Sequence, residues 1–443
     1  MMDTPIADFV RAYDKSRTAR LHMPGHKGRG PLGCERWDIT EIAGADALYE
    51  AEGIIARSEA NAGGLFGSGR TFYSTEGSSQ CIRAMLYLAL QHRPAGTPPV
   101  IAAARNVHKA YVYAAALLDF ETVWLWPEAD SPLCGCPVSP ETLERTLSAL
   151  DAPPAAVYLT SPDYLGGMAD IAALAAVCHR HGTLLAVDNA HGAYLHWLGR
   201  HPLDLGADLC CDSAHKTLPV LTGGAYLHVG KDVPAALWRD GKAALALFGS
   251  TSPSYLTLAS LDLCNRRLAE GYGAELRRCV RDLDGLRRTL SDRGWQVLPG
   301  TDPLRLTLAA PEGLTGLELA DRLRRGGVEC EYADPEFTVL MATPDNAPED
   351  LDRVAEALGE NTAPPSRRLP LPPARGERVC SVRQALFAPH RTVAAAESLG
   401  RVCGAPTVAC PPAIPIAVSG ERIGPEALAL FAHYGVETVD ILE

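Results

Sequence analysis

Residues Asp208–Thr217 read DLCCDSAHKT, an apolar run that empties into a polar loop carrying Asp212, Ser213, His215 and Lys216. Open α/β sheets gather their ligands outside the carboxyl ends of the strands. Lys216 is therefore expected at a strand end, with His215 beside it and Ser213 three residues before it. An amine placed there can form a Schiff base with an aldehyde cofactor, since partial desolvation and cationic neighbours lower its pKa. Taken alone, a lysine after a strand is an ordinary solvated group. The weight shifts because a second strand end lies just upstream. Thr183–Val187 (TLLAV) runs into Asp188, Asn189, Ala190 and His191. A carboxylate at that strand end suits pyridoxal phosphate, whose ring nitrogen must stay protonated for the ring to draw electrons. The alternative for Asp188 is a helix N-cap.

A phosphate site is expected further toward the N-terminus. Thr71–Ser74 reads as a strand and Thr75–Ser79 as a turn, and Ile82, Met85, Leu86, Ala89 and Leu90 keep a helical period from Ser79 to His92. The Gly77-Ser78-Ser79 turn would offer free N–H groups, two hydroxyls and the positive end of the helix dipole. A plain N-cap serine would look the same.

With these residues in view, the chain resembles the ornithine/lysine/arginine decarboxylases. The resemblance rests on HMPGHKG, DITEIAGADALYEAEGII, LFGSGRTFY, ARNVHKA, TSPDYLGGMADI, VDNAHGAY, DSAHKTLPVLTGG and GSTSPSYLTLASLD, in that order, and covers nearly the whole chain. It implies an α/β protein of the aspartate aminotransferase-like pyridoxal phosphate fold type I: a mostly parallel large-domain sheet flanked by helices, a small α/β domain and a C-terminal α+β domain. It also implies pyridoxal 5'-phosphate as cofactor, a homodimer or higher oligomer, and decarboxylation of arginine, lysine or ornithine. Lys216 would hold the cofactor, Asp188 would pair with its ring nitrogen, and His108 would stack on the ring. Gly77, Ser78 and Ser79 would bind the phosphate, with His191, Ser213 and His215 close by. Thr251 and Ser252 would reach the phosphate of the neighbouring subunit, although Ser-Pro before an apolar run is also a helix start. Proton return to Cα falls to His215 or Lys216.

The chain departs from the family pattern at Glu76 before the phosphate turn, at Asp163, at Tyr194, and at Ala413 and Ser419 in the Pro411–Glu421 segment. A carboxylate beside a phosphate is unfavourable unless Glu76 points away. Glu331, Asp334 and, less favoured, Glu421 could hold the substrate's distal cation, but carboxylates in such loops are commonly solvated and none is assigned that role. An aminotransferase, an aldolase or a decayed cofactor-binding paralogue remain alternatives.

The rest of the pattern alternates strand and helix, as a largely parallel sheet requires: strands Pro98–Ala104, Thr122–Trp126 and Ala155–Thr160, helices Tyr111–Leu118, Pro140–Leu150 and Ile171–His181. A first helix is expected at Asp8–Ala19, another at Ile54–Leu65, and a single long one at Leu256–Leu290. A smaller unit follows, then a Pro-rich linker at Ala363–Pro373. The tail is expected to be helical near Val382–Leu386, Thr392–Gly400 and Pro425–Tyr434. The domains are read as 1–35 (arm), 36–265 (cofactor-binding domain), 266–360 (small α/β domain with bridging helix) and 374–443 (C-terminal domain).

The 443 residues, 47% hydrophobic, suffice for such cores, and a net charge of −12 with mixed signs argues against nucleic acid and anionic membranes. No apolar run approaches a membrane span, and no signal-like N-terminus is seen. Thirteen scattered cysteines read as free buried thiols, with no zinc spacing. A cytoplasmic enzyme with a small-molecule substrate, no metal and no nucleic-acid partner is expected.

Overall fold

The computed structural model describes residues 1–127, 131–300, 302–366, 370–408 and 413–443. Seven strands form the large sheet: β1 (Arg70–Ser74), β2 (Val100–Ala104), β3 (Glu121–Leu125), β4 (Ala156–Thr160), β5 (Leu184–Asp188), β6 (Leu209–Asp212) and β7 (Ala225–Val229). Their order is β1-β7-β6-β5-β4-β2-β3. The pairs β5–β6 and β2–β3 are parallel, whereas β7 runs antiparallel to both β1 and β6. Near-continuous apolar strands such as β6, buried along its whole length, suit a sheet covered on both faces. The helices up to residue 292 are α1 (Pro5–Lys15), α2 (Ile54–Phe66), α3 (Gly77–Gln91), α4 (Lys109–Leu118), α5 (Pro140–Ser148), α6 (Ile171–Arg180), α7 (Ala214–Thr217), α8 (Ala235–Ala246), α9 (Tyr255–Ala269) and α10 (Tyr272–Asp292).

The chain divides into two compact units. The first, residues 1–97, 155–158 and 171–275, holds β1, β5, β6, β7 and the loops after them. The second comprises 98–154, 159–170 and 276–443. It contains a four-stranded sheet in which Arg305–Ala309 pairs antiparallel with Phe337–Met341, covered by helices Gly316–Arg325 and Pro348–Leu358. Its tail has a core of Ile414, Ile416, Ile423, Leu430, Phe431, Val439 and Ile441.

Three expected elements differ. The first helix spans Pro5–Lys15 rather than Asp8–Ala19, because Pro5 presets its first turn and the Asp262 carboxylate accepts the Ile6 and Ala7 N–H groups at 2.9 Å each. The long helix at Leu256–Leu290 is two helices, α9 and α10, parted at Gly271, whose φ of +108° lies outside helical geometry. Thr392–Gly400 is not helical: His390–Ala394 is a strand paired antiparallel with Thr438–Leu442, followed by one 3-10 turn at Ala395–Glu397. β-branched Thr392 and Val393 pack well on a pleated surface, and Thr392 Oγ1 donates to Asp440 Oδ1 at 2.6 Å. Within the expected linker, residues 367–369 lie outside the described residues, as do 411–412 of the Pro411–Glu421 segment.

Candidate active site

Lys216 stands on α7, one helical turn long, which begins two residues after β6 ends. Its Nζ lies 3.0 Å from His191 Nε2. His191 belongs to the turn after β5, where Gly192 N–H donates to Asn189 O at 2.8 Å. Two strand ends thus bring an amine and an imidazole together from positions 25 residues apart.

Asp188 closes β5 and is 2% exposed. Its carboxylate accepts from Tyr158 Oη at 3.1 Å, Ala190 N–H at 3.2 Å and Cys211 Sγ at 3.6 Å. Burial raises its pKa, against the opposing charge of Lys216 and these hydrogen bonds. A buried carboxylate held this way gains from a cation brought to it, as a protonated pyridine nitrogen would be.

His215 N–H and the ring Nδ1 both meet Gly224 O, at 3.1 and 2.9 Å. The carbonyl can only accept, so Nδ1 carries the hydrogen and Nε2 keeps its lone pair. Burial lowers the His215 pKa, and the charge of Lys216 lowers it further, while the bond to Gly224 opposes both. The Ser213 hydroxyl is 1% exposed and has no hydrogen-bond partner among the described residues. A buried hydroxyl without a partner is costly unless a ligand supplies one.

The phosphate turn opens α3. Gly77 has φ +72° and its N–H donates to Gly223 O at 2.7 Å, leaving the first-turn amides and hydroxyls of Ser78 and Ser79, both half-buried. A Cβ at Gly77 would stand 3.9 Å from His215 Cε1, so this turn lies against the Lys216 loop. Glu76 is exposed and its carboxylate accepts the Ser250 N–H. That bond fixes one carboxylate oxygen on the Gly249–Tyr255 loop, in which Thr251 and Ser252 are exposed.

Pyridoxal phosphate fits this donor set: an amine beside an imidazole, a buried carboxylate, an unpartnered buried hydroxyl and a positive helix end.

His108 belongs to the second unit, where it caps α4 by accepting Ala110 N–H on Nδ1 at 3.1 Å. Its loop is held by the tail. Arg105, fully buried, donates to Pro415 O at 2.8 Å and Ile416 O at 3.1 Å and lies 3.6 Å from the Glu421 carboxylate, while Lys109 N–H donates to Ala413 O at 2.9 Å.

The same unit accounts for the other carboxylates. Asp334 is buried and accepts from Tyr332 Oη, Glu336 N–H and Phe337 N–H. Glu331 accepts from Tyr164 Oη. Asp163 accepts the Leu165 and Gly167 N–H groups inside its own turn, and burial pushes its pKa up to about 6.

Sequence reasoning missed Asp212. This fully buried carboxylate accepts from Asn189 Nδ2 at 2.7 Å, His201 Nε2 at 3.0 Å and His228 Nε2 at 3.1 Å. The two imidazoles outweigh burial and hold its pKa far below the usual carboxylate range. Its partners stand 11, 16 and 23 residues away, a spacing that belongs to no motif.

A family model described as Orn/Lys/Arg decarboxylase, major domain, matches residues 4–304. The uncharacterized protein YaaO of Bacillus subtilis (strain 168) is 29% identical over 471 residues, covering 96% of this chain and 93% of that one. An arginine decarboxylase of Halalkalibacterium halodurans is 29% identical over 469 residues, covering 96% and 92%. Among solved structures, the Francisella novicida lysine decarboxylase LdcF superposes with a TM-score of 0.80 at 16% identity, over 99% of this chain and 81% of that one.

Proposed function

The chain belongs to the Orn/Lys/Arg decarboxylase family, and from that membership we propose that it converts L-arginine to agmatine and carbon dioxide, with Lys216 as the cofactor's anchor. It is a pyridoxal phosphate-dependent decarboxylase acting on a basic amino acid. Arginine is favoured over lysine and ornithine because similar full-length relatives from Halalkalibacterium halodurans and Bacillus subtilis carry the name arginine decarboxylase.

The observation that carries the site assignment is the 3.0 Å approach of Lys216 Nζ to His191 Nε2 at the carboxyl ends of β5 and β6. When bound, pyridoxal phosphate supplies an electron sink for the pair left behind as the carboxylate departs. The Lys216 amine must shed a proton before it can act as a nucleophile, and His191 Nε2 stands where it can take one. Asp188, shielded from water, would pair with the ring nitrogen and keep it protonated. The Ser213 hydroxyl would offer the cofactor a hydrogen bond, and Ser78 and Ser79 would hold the phosphate with their hydroxyls and N–H groups. His108 would be the residue to cover the ring face, as the family resemblance implies. His215 Nε2, whose lone pair stays open because Nδ1 donates to Gly224, would first take up a proton from water and then pass it to Cα, and Lys216 is the other candidate donor. Thr251 and Ser252 serve a partner subunit's phosphate in a homodimer working in the cytoplasm. No helix among the described residues is long and apolar enough to cross a membrane.

The test is to incubate the purified protein and cofactor with L-arginine, L-lysine and L-ornithine separately and to identify the amine and the gas. Agmatine and carbon dioxide from arginine are expected. Lys216→Ala should lose both gas release and the absorbance that arises from covalent attachment of the cofactor to the lysine. A keto acid without gas would indicate transamination, and turnover surviving in Lys216→Ala would remove the anchor role.

A further inference from the structure

We propose that Asp212 and Asn189 are positioning residues, which together set the approach of His191 to Lys216. The inference rests on the assignment of Lys216 as the anchor and concerns what holds that amine in place.

Asp212 is the last residue of β6, and its backbone leads directly through Ser213 to Lys216. Its carboxylate also grips the other half of the pair. Asn189 Nδ2 donates to Asp212 Oδ1 at 2.7 Å, and Asn189 begins the turn that carries His191. That turn is folded tightly onto the Asn189 side chain, since a Cβ at Gly192 would collide with Asn189 Oδ1. Asn189 N–H further donates to Cys211 O at 2.9 Å, so the two strand ends are bound by main chain and side chain at the same level.

The grip is itself braced. His201 Nδ1 accepts Leu203 N–H at 3.3 Å, which leaves its Nε2–H to donate to Asp212 Oδ2. His228 Nε2 lies 3.1 Å from the same oxygen, and its Nδ1 meets Thr71 Oγ1 at 2.8 Å, which in turn meets Ser68 Oγ at 2.8 Å. Asp212, Asn189, His201 and His228 are all fully buried. Both Asp212 oxygens and both nitrogens of each imidazole are paired, while Asn189 Oδ1 has no hydrogen-bond partner among the described residues, and a buried network paired to this degree has little freedom to drift. Three N–H donors and the Cys210 thiol, at 3.7 Å, converging on one carboxylate suit an anion there; an amide in its place would turn an N–H toward a donor. The side chains of Asp212, Asn189, His201 and His228 bond within this network, and they act on the amine through the two segments that carry Lys216 and His191.

The experiment compares Asp212→Asn and Asn189→Ala with the parent holoenzyme and with Lys216→Ala. Read per folded protein are kcat and KM, the visible circular dichroism of the bound cofactor, and the rate at which apo protein attaches pyridoxal phosphate. A shift of about 1 Å between reacting groups can cost roughly a hundredfold in rate. Either variant should therefore lower kcat about ten- to a hundredfold with KM changed less than about threefold, slow cofactor attachment, and alter the dichroism band. Should Asp212→Asn not accumulate as folded protein, Asn189→Ala, which leaves Asp212 its two imidazoles, decides the question by the same readouts. Parental dichroism, attachment rate and kcat in the variants, with no cofactor fixed to Lys216→Ala by borohydride reduction, would overturn the positioning role alone. Cofactor fixed to Lys216→Ala by the same reduction would instead overturn the anchor assignment on which it rests.

Discussion

Ala413 adopts φ +59°, a left-handed conformation that costs a non-glycine residue roughly 1–2 kcal/mol. Its carbonyl nevertheless accepts the Lys109 N–H at 2.9 Å, next to His108. Replacing Ala413 with Gly should relieve the strain but add unfolded-chain entropy, for a net gain of about 0.5–1 kcal/mol. Chemical denaturation of Ala413→Gly should therefore move the midpoint upward, and an unchanged or lower midpoint would mean that the strain is absorbed elsewhere. Asp188 and Lys216 could be singled out from sequence because one ends a short apolar run and the other follows four residues after the next one, each with a chemistry of its own. Glu76 was legible only as a departure from pattern. Its bond to the Ser250 N–H spans 174 residues, and no local signal announces it.

Helix α1 owes its start to a residue far from it in sequence. Asp262, on α9, accepts the Ile6 and Ala7 N–H groups and the Ser58 hydroxyl, the last at 2.6 Å. Burial raises its carboxyl from 3.8 to about 6, with the hydrogen bonds from Ser58, Ala7 and Ile6 opposing. A carboxyl whose folded pKa exceeds its unfolded value stabilises the fold fully below about pH 4. That contribution is lost as pH rises through about 6, because the folded state binds the proton more tightly. Between pH 4 and pH 6 the parent should lose about 1–3 kcal/mol more stability than Asp262→Asn. Urea unfolding at pH 4, 5 and 6 checks this, and parallel pH dependences in the two proteins would remove Asp262 as the cause. The same long-range dependence explains the errors at the level of elements. The periodicity of Leu256–Leu290 is helical on both sides of Gly271, and Thr392–Gly400 becomes a strand only because Thr438–Leu442 is there to pair with it.

For the assembled enzyme, the proposed role of Thr251 and Ser252 in a partner's phosphate site has a direct consequence. Neither Lys216→Ala nor the double variant Thr251→Ala/Ser252→Ala should turn over by itself. Mixed and allowed to exchange subunits, they form heterodimers in which one of two sites has every native residue. Random pairing makes half of the dimers mixed, so activity should recover to roughly a quarter of the parental value. Absence of recovery, with mixed dimers demonstrated by mass, would assign both residues to their own chain.

Sequence alone determined the alternation of strands and helices, the residues that end β5 and β6, and the family, because these are carried by local periodicity and by ordered motifs along one chain. Tertiary structure decided what those residues meet. It placed His191 against Lys216, gave Asp188 the Tyr158 hydroxyl, and drew Asn189, His201 and His228 onto Asp212. Those partners lie on different strands and turns, and a buried carboxylate is satisfied by whatever donors the packing of the sheet brings within 3 Å or so. Nothing in their separation along the chain records that meeting.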